Sequence, residues 1–307
     1  MLEATRTMPP PGQGSARCST PPLTVEGSEQ QWLFRGGSLD IVRWRCLAVN
    51  AQLSPERRMP WDEVTFAHTG MFRLHAGDRT HLIDGTSVAL LHTGIPFRTS
   101  HPAGCGEVGS SFVVRSDLLA SLLARQGGDR FRDVSARCSS RLLLSQRKLV
   151  RALERALPIE ALQIEEEALA ILGEVLGSAR PPGLAGGQGR HHSRDAAETT
   201  DAAREYIASR YTQRLQLQEI AIACNVSIHR LCRAFLAATS MTVHRYVSRL
   251  RLTAALERLA DGERDLTALA LDLGFSSHSH FSWAFRREFN LSPSGWRALV
   301  RGRLVRG

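Results

Sequence analysis

Lysine is all but missing from this chain of 307 residues: apart from Lys148, every basic side chain is arginine. We read that as the imprint of a GC-rich coding sequence and not of function. Long apolar runs are missing too. No stretch approaches the roughly 20 apolar residues that span a bilayer, so no membrane partner is expected. The first 28 residues are rich in Pro, Gly, Ser and Thr and have no apolar core run, which excludes a secretory signal and reads as a disordered leader. The six cysteines, at positions 18, 46, 105, 138, 224 and 232, show neither a CxxC pair nor a Cys/His zinc spacing. That argues against a disulfide framework and for free thiols in a reducing compartment, the cytoplasm. No Ser/His/Asp or Cys/His arrangement, phosphate loop or pair of carboxylates stands out, so the chain is not read as an enzyme.

What is present is an uneven charge. Hydrophobic residues make up 43% and charged residues 22% of the chain, a globular composition of a length for two domains. The net charge is +9, and from Asp201 onward 16 Arg stand against 9 acidic residues, which leaves the first 200 residues nearly neutral. A basic C-terminal third on a neutral body is the electrostatic footprint of a nucleic-acid-binding module.

The chain divides by pattern. Residues 1–28 form the leader and 29–179 a sensing or dimerisation domain. Within that domain short alternating runs (Leu39–Val49, Val64–Thr69, Met71–His75, Thr80–Ile83, Val88–Leu91, Gly109–Val114) suggest a small sandwich or barrel. Ala76-Gly77-Asp78 and Asp84-Gly85 read as hairpin turns. Beyond Arg115 the period lengthens to that of amphipathic helices at Ser116–Ala124, Ser139–Leu157 and Ile159–Ala179. Leu142, Leu149, Leu153 and Leu157 line one apolar face, and Leu162, Leu169, Leu172 and Leu176 another. Residues 180–199, opened by Arg180-Pro181-Pro182-Gly183, read as a flexible linker that contains His191-His192. Residues 200–300 are helical throughout, and 301–307 form a basic tail.

The helical domain repeats itself. Leu217, Ile220, Ala221 and Val226 recur 49 residues later as Leu266, Leu269, Ala270 and Phe275. Leu231, Ala234 and Phe235 recur at an offset of 50 as Phe281, Ala284 and Phe285, so the second copy carries one extra residue in its turn. Each copy reads as a short helix, a tight turn, a serine N-cap (Ser227; Ser276 or Ser277) and a second helix, with Gly274 suited to a positive φ. This is a helix-turn-helix, twice. With the repeated apolar positions inward, His229, Cys232 and Arg233 share the outer face of the first recognition helix, and His278, Ser279, Ser282 and Trp283 that of the second. These are the base-contacting candidates. Arg233 can grip guanine O6 and N7 with paired hydrogen bonds. Arg230, Arg286 and Arg287 are assigned to phosphates. Between the units Thr242–Ala260 forms one helix of about 28 Å, near the roughly 34 Å between successive major-groove faces.

The run Ala270-Leu271-Asp272-Leu273-Gly274-Phe275-Ser276-Ser277-His278-Ser279-His280-Phe281, with Ala284-Phe285-Arg286-Arg287, the Ser292-Pro293 turn and Arg297, resembles the second helix-turn-helix signature of the AraC/XylS family of bacterial regulators. Trp283 and Cys232 depart from it, standing where arginine and a polar side chain are usual. The resemblance implies an α+β chain: an N-terminal cupin-like β-barrel with flanking helices, and a C-terminal all-α domain of two helix-turn-helix units joined by a long helix. It implies a transcription regulator, an activator, bound to double-stranded promoter DNA. Its further implied partners are RNA polymerase, a small-molecule effector and a second copy of the chain. Asp84–Leu91 and Gly94-Ile95-Pro96-Phe97 resemble the barrel's strand–turn run and its Gly-x-Pro loop.

Cupin barrels often hold a metal, and this region carries His68, His75, His81, His92 and His101. None forms a His-x-His pair followed by Glu and no acidic ligand is expected nearby, so neither metal nor cofactor is expected. Cys105, between Gly104 and Gly106, is either a redox-sensing thiol in an accessible loop or a small buried one. Trp44, Phe66, Phe72 and Arg98 are candidates to line an effector site, or simply core residues of the barrel. The alternative from another class is a metal-dependent cupin enzyme with a helical appendage.

Overall fold

The computed structural model describes residues 28–48, 51–102, 106–125, 131, 133–178 and 190–302, with side chains from 196 onward in the helix that begins at Arg190. Apart from Ser28, the expected leader lies outside the described residues, as do Cys18, Cys105 and the last five residues of the tail.

Among the described residues, ten strands precede and thread between the first helices: β1 (Ser28–Arg35), β2 (Leu39–Cys46), β3 (Arg57–Arg58), β4 (Asp62–Thr69), β5 (Phe72–Ala76), β6 (Arg79–Ile83), β7 (Ser87–Leu91), β8 (Pro96–Ser100), β9 (Glu107–Val114) and β10 (Ser135–Arg137). They form a six-stranded antiparallel sheet, β1-β2-β9-β4-β7-β10, and a four-stranded one, β3-β8-β5-β6. Two antiparallel sheets facing one another agree with the small sandwich or barrel expected from the alternating runs. In the larger sheet the inner strands β2, β9, β4 and β7 are largely buried on both faces, whereas the edge strands β1 and β10 are only partly buried. On β7, Val88 and Leu90 point into a core shared with the helices, whereas Ala89 and Leu91 point toward the smaller sheet beside Phe72, Leu74 and Phe97.

Two turn expectations part ways. Gly77, at φ 55, closes the β5–β6 hairpin as expected. Asp84-Gly85 does not close one, because β6 belongs to the smaller sheet and β7 to the larger. It is a corner at which the chain changes sheets. The Asp84 carboxylate holds the corner by accepting from Thr86 N at 2.7 Å and Thr86 Oγ1 at 2.6 Å.

Helices α1 (Ser116–Ala124), α2 (Ser140–Glu154) and α3 (Ala161–Ser178) cover the outer face of the larger sheet. On α3 the buried stripe is Ile164, Ala168, Ile171, Leu172, Val175 and Leu176. Leu162 is 67% exposed, so the expected leucine face is turned slightly out of register by the β-branched residues, which fill the core better. Helix α4 runs Arg190–Ala208 and takes in the second half of the stretch expected as linker. Proline and glycine end at Gly189, and from there nothing breaks the helix.

The remaining helices are α5 (Leu217–Ala223), α6 (Ile228–Thr239), α7 (Val243–Asp261), α8 (Leu266–Asp272), α9 (His278–Phe289) and α10 (Pro293–Val300). Among the described residues no single helix is long and apolar enough to cross a membrane.

Candidate nucleic-acid interface

The two helix-turn-helix units are built by the same local chemistry. Helices α5 and α6 meet at 87°, the near-perpendicular crossing of this motif. In the first turn Val226 N donates to Ala221 O at 3.0 Å and Asn225 takes φ 52. Shifted by 49 residues, Phe275 N donates to Ala270 O at 2.9 Å and Gly274 takes φ 80. The caps then slip by one. Ser227 Oγ accepts from Arg230 N, and Ser277, not Ser276, accepts from His280 N at 3.1 Å. Ser276 is therefore the extra residue, and its hydroxyl lies 3.0 Å from His280 Nδ1. Left-handed residues Ser240 and Asn290 end α6 and α9 at matching places.

Leu231, Ala234 and Phe235 anchor α6, and Phe281, Phe285 and Phe289 anchor α9. The opposite faces carry His229, Arg230, Cys232 and Arg233 on α6 and His278, Ser279, Trp283, Arg286 and Arg287 on α9, all exposed. Ser282 is half-buried, 3.2 Å from His278 Nε2. The Arg287 guanidinium sits 5.1 Å above the Trp283 ring, so the two form one stacked unit. Helix α6 holds no acidic residue, and the one on α9, Glu288, turns away to Ser140 and Arg249. Both outer faces are thus free of negative charge at helix starts whose dipoles already favour anions.

Arg251, which the sequence reading left unmarked, joins the two units. From α7 its guanidinium donates to Tyr211 O at 2.6 Å, Gln213 O at 2.7 Å and Gly274 O at 2.7 Å. It therefore ties the segment before α5 to the turn before α9. A Cβ on Gly274 would lie 2.4 Å from Thr212 O, so the turn needs glycine for space as well as for φ.

A helix-turn-helix domain family matches residues 220–299. The HTH-type transcriptional activator RhaS of Escherichia coli O157:H7 is 35% identical over 88 residues, 29% of this chain and 32% of RhaS. The C-terminal domain is thus similar to the helix-turn-helix domains of such regulators. The aligned part spans about a third of the length of the curated relatives it matches. Two solved structures are similar to the chain at low TM-score. ToxT from Vibrio cholerae O395 is 14% identical with a TM-score of 0.34, covering 91% of this chain and 100% of that one. An AraC-type transcriptional regulator from Chromobacterium violaceum is 27% identical with a TM-score of 0.33, covering 37% and 99%.

The helix-turn-helix domain is not a free appendage. Asp84, at the corner between the sheets, is buried with Arg204 of α4 and Tyr246 of α7: Arg204 Nη2 donates to its Oδ2 at 2.8 Å and to Leu82 O at 3.0 Å, and the Tyr246 hydroxyl donates to the same carboxylate. Burial opposes the Asp84 charge, but Arg204 alongside it and the hydrogen bonds from Thr86 and Tyr246 outweigh that and hold its pKa below the usual carboxylate value. A second group joins α2 to α7, where Arg151 Nη2 meets Glu257 Oε2 at 2.5 Å and Arg147 Nε lies 3.2 Å from Glu257 Oε1. Arg147 is fully buried, and burial, partly offset by Glu257, pushes its pKa down to about 10.

The expected effector residues separate. Trp44 and Phe72 pack edge to face at 6.1 Å and line a small cavity between the sheets. Phe66 points to the other side of its sheet, against Phe112, and Arg98 lies exposed on β8. The expectation that no acidic group lies near the histidines is corrected. His92 Nδ1 is 2.7 Å from Asp62, and His101 Nδ1 is 2.8 Å from Glu107. Strand pairing and loop closure make these contacts, which adjacency in sequence does not show. His81 Nε2 is 3.7 Å from Asp133 and His68 Nδ1 4.0 Å from Glu257, while His68 Nε2 and His75 Nε2 sit 3.0 Å from the hydroxyls of Ser110 and Ser100.

Proposed function

We propose that this protein is a sequence-specific DNA-binding transcription regulator, an activator, whose single chain places two recognition helices in adjacent major grooves. The observation that carries the reading is the duplicated helix-turn-helix with two exposed, acid-free outer faces, held at fixed separation by the 19-residue helix α7 and by Arg251. His229, Cys232 and Arg233, and His278, Ser279, Ser282 and Trp283, face the bases. Arg230 and Arg286 hold phosphates. Arg287, stacked on Trp283, orients that ring as well as meeting the backbone. Activation is favoured by the similarity to RhaS, a transcriptional activator, and it implies contact with RNA polymerase in the cytoplasm.

The N-terminal domain supplies control, by a small-molecule effector or by pairing with a second copy. A cleft of about 390 Å³ between α1 and α3, lined by Leu118, Leu122, Leu169, Leu176 and Arg125, falls within the size range of ligand sites. The space beside Trp44 and Phe72, about 20 Å³, is of the size of a water and too small for an organic molecule, which disfavours a cupin enzyme's substrate site there.

The test is a binding titration of the full-length protein on its genomic sites, found by chromatin mapping, against random duplex. Arg233→Ala should lose about 1–3 kcal/mol on the specific site and relax preference at one base pair. Arg286→Ala should weaken every sequence alike and reduce the salt slope by about 1. Equal losses for Arg233→Ala on both duplexes would remove its base-reading role, and no preference of the wild type for any site would remove the whole reading.

A further inference from the structure

The second helix-turn-helix carries one residue more than the first, Ser276, in the turn that leads into α9. Its hydroxyl lies 3.0 Å from Nδ1 of His280, while the cap of α9 is left to Ser277. The buried ring of Phe275 stands beside the same imidazole, edge to face at 5.5 Å and 84°. The His280 side chain is exposed, yet two neighbours hold its ring. Its Nε2 has no protein partner among the described residues.

Counting from the caps aligns the two reading heads. Ser227 and Ser277 each accept from the backbone N–H three residues on, that of Arg230 in α6 and of His280 in α9. The next residue is fully buried in both, Leu231 in one and Phe281 in the other. His280 thus takes on α9 the place that Arg230 takes on α6. Arg287 lies seven residues beyond His280, two turns along the same line of the helix, and Trp283 lies one turn along it, stacked under Arg287. One edge of α9 therefore runs from His280 through Trp283 to Arg287, beside the outward Ser279.

We propose that His280 is a DNA-backbone contact of the second reading head, donating its Nε2–H to one phosphate oxygen, and that Ser276 positions it. This rests on the reading of α9 as a recognition helix. A phosphate oxygen only accepts, so the ring has to carry a proton on Nε2. The Ser276 hydroxyl supports that state by donating to Nδ1, and it accepts from Nδ1 if the ring is doubly protonated. The inserted residue then has a task that the first head does not need. Arg230 offers five donors in a wide fork, whereas an imidazole held at Nδ1 offers one, which works only when it is aimed. Hydrogen bonds weaken steeply with misalignment, so the second head is the more exacting of the two about where the backbone lies.

The test is a methylphosphonate scan. Full-length protein is titrated on its specific duplex and on duplexes in which one phosphate at a time, along the second head's part of the site, is replaced by an uncharged methylphosphonate. For the wild type one position should weaken binding about tenfold, the low end for a hydrogen bond to a charged group because the contact is exposed. His280→Phe keeps a ring beside Phe275 and removes both nitrogens; it should weaken binding to the unmodified duplex by a similar factor and become insensitive at that one position. Ser276→Ala should lose part of the sensitivity, and Ser276→Thr, which keeps the hydroxyl, should retain it. Arg286→Ala should bind every duplex more weakly yet stay sensitive there. Both side chains are exposed, so melting temperatures of the His280 and Ser276 variants should stay near that of the wild type. Full sensitivity of His280→Phe at every phosphate, or of Ser276→Ala at the chosen one, overturns the proposal and leaves the paired recognition helices standing. Affinity that falls only together with melting temperature assigns the pair to the fold and overturns it as well. A wild type with no preference for any duplex sinks both readings.

Discussion

Replacing Asp84 with asparagine removes one charge and almost no volume from the junction between the β domain and the helical domain. The amide oxygen can still accept from Thr86 N and Oγ1, so the corner between the sheets keeps its local geometry. What is lost is the counter-charge to Arg204 and the acceptor for the Tyr246 hydroxyl. Breaking a buried ion pair on one side costs about 3–5 kcal/mol. Asp201, 3.6 Å from Arg204 Nη1 and partly exposed, compensates in part, which places the expected loss near the lower end, about 3 kcal/mol. The assay is urea unfolding followed by tryptophan emission and far-ultraviolet circular dichroism. Asp84 titrates below its unfolded value, so its contribution is present above the ordinary carboxylate range and is lost as pH falls through that range and beyond. The variant should accordingly have a flatter acid limb than the wild type. Pairing it with Arg204→Met should cost clearly less than the two single losses added together, because each single change strands the other partner. A loss under about 1 kcal/mol for Asp84→Asn, or strict additivity in the double variant, would refute the account of this junction.

Other expectations follow from the same contacts. Gly274→Ala forces a left-handed alanine whose Cβ meets Thr212 O, and should cost more than about 2 kcal/mol in thermal stability while weakening binding to DNA. Arg251→Ala should leave the fold intact but reduce specific binding more than non-specific binding, measured on the same two duplexes, because the two recognition helices lose their shared clamp. Glu257→Gln strands the buried Arg147, whereas Arg151 keeps Glu154 and Asp261, and should cost about 3 kcal/mol by urea unfolding, much of it recovered when Arg147→Met is added.

The helix-turn-helix units were legible because their code is local. Caps, a positive-φ turn and apolar positions three and four apart all fall within about one dozen residues, and the repeat states each of them twice. Even the slipped offset had a structural meaning, the inserted Ser276. The central strands were legible for a similar reason, a period of two. Strands β1, β3, β8 and β10 were not, since short or outer strands owe their conformation to a partner's hydrogen bonds more than to their own pattern. Asp84 looked like a hairpin residue because nothing nearby records that β6 and β7 join different sheets. Cys46 and His101 are 55 residues apart, and Arg147 and Glu257 110, so only the closed fold brings either pair together.

Helix α7 has one end in each of two cores. Val243, Tyr246 and Val247 pack with α4, α5 and α6 around the first unit. Leu252, Ala255, Leu256, Leu259 and Ala260 instead join α8, α9 and α10 in the core that also holds β2, β4, α2 and α3. The second reading head thus shares its apolar core with the β domain, while the first keeps an apolar core of its own and meets the β domain through the polar Asp84, Arg204 and Tyr246 contact. A chain cut between the domains would bare the apolar underside of α7, α9 and α10 to water and strip Arg204 and Tyr246 of their shared carboxylate, so the second head loses hydrophobic cover and the first loses a counter-charge.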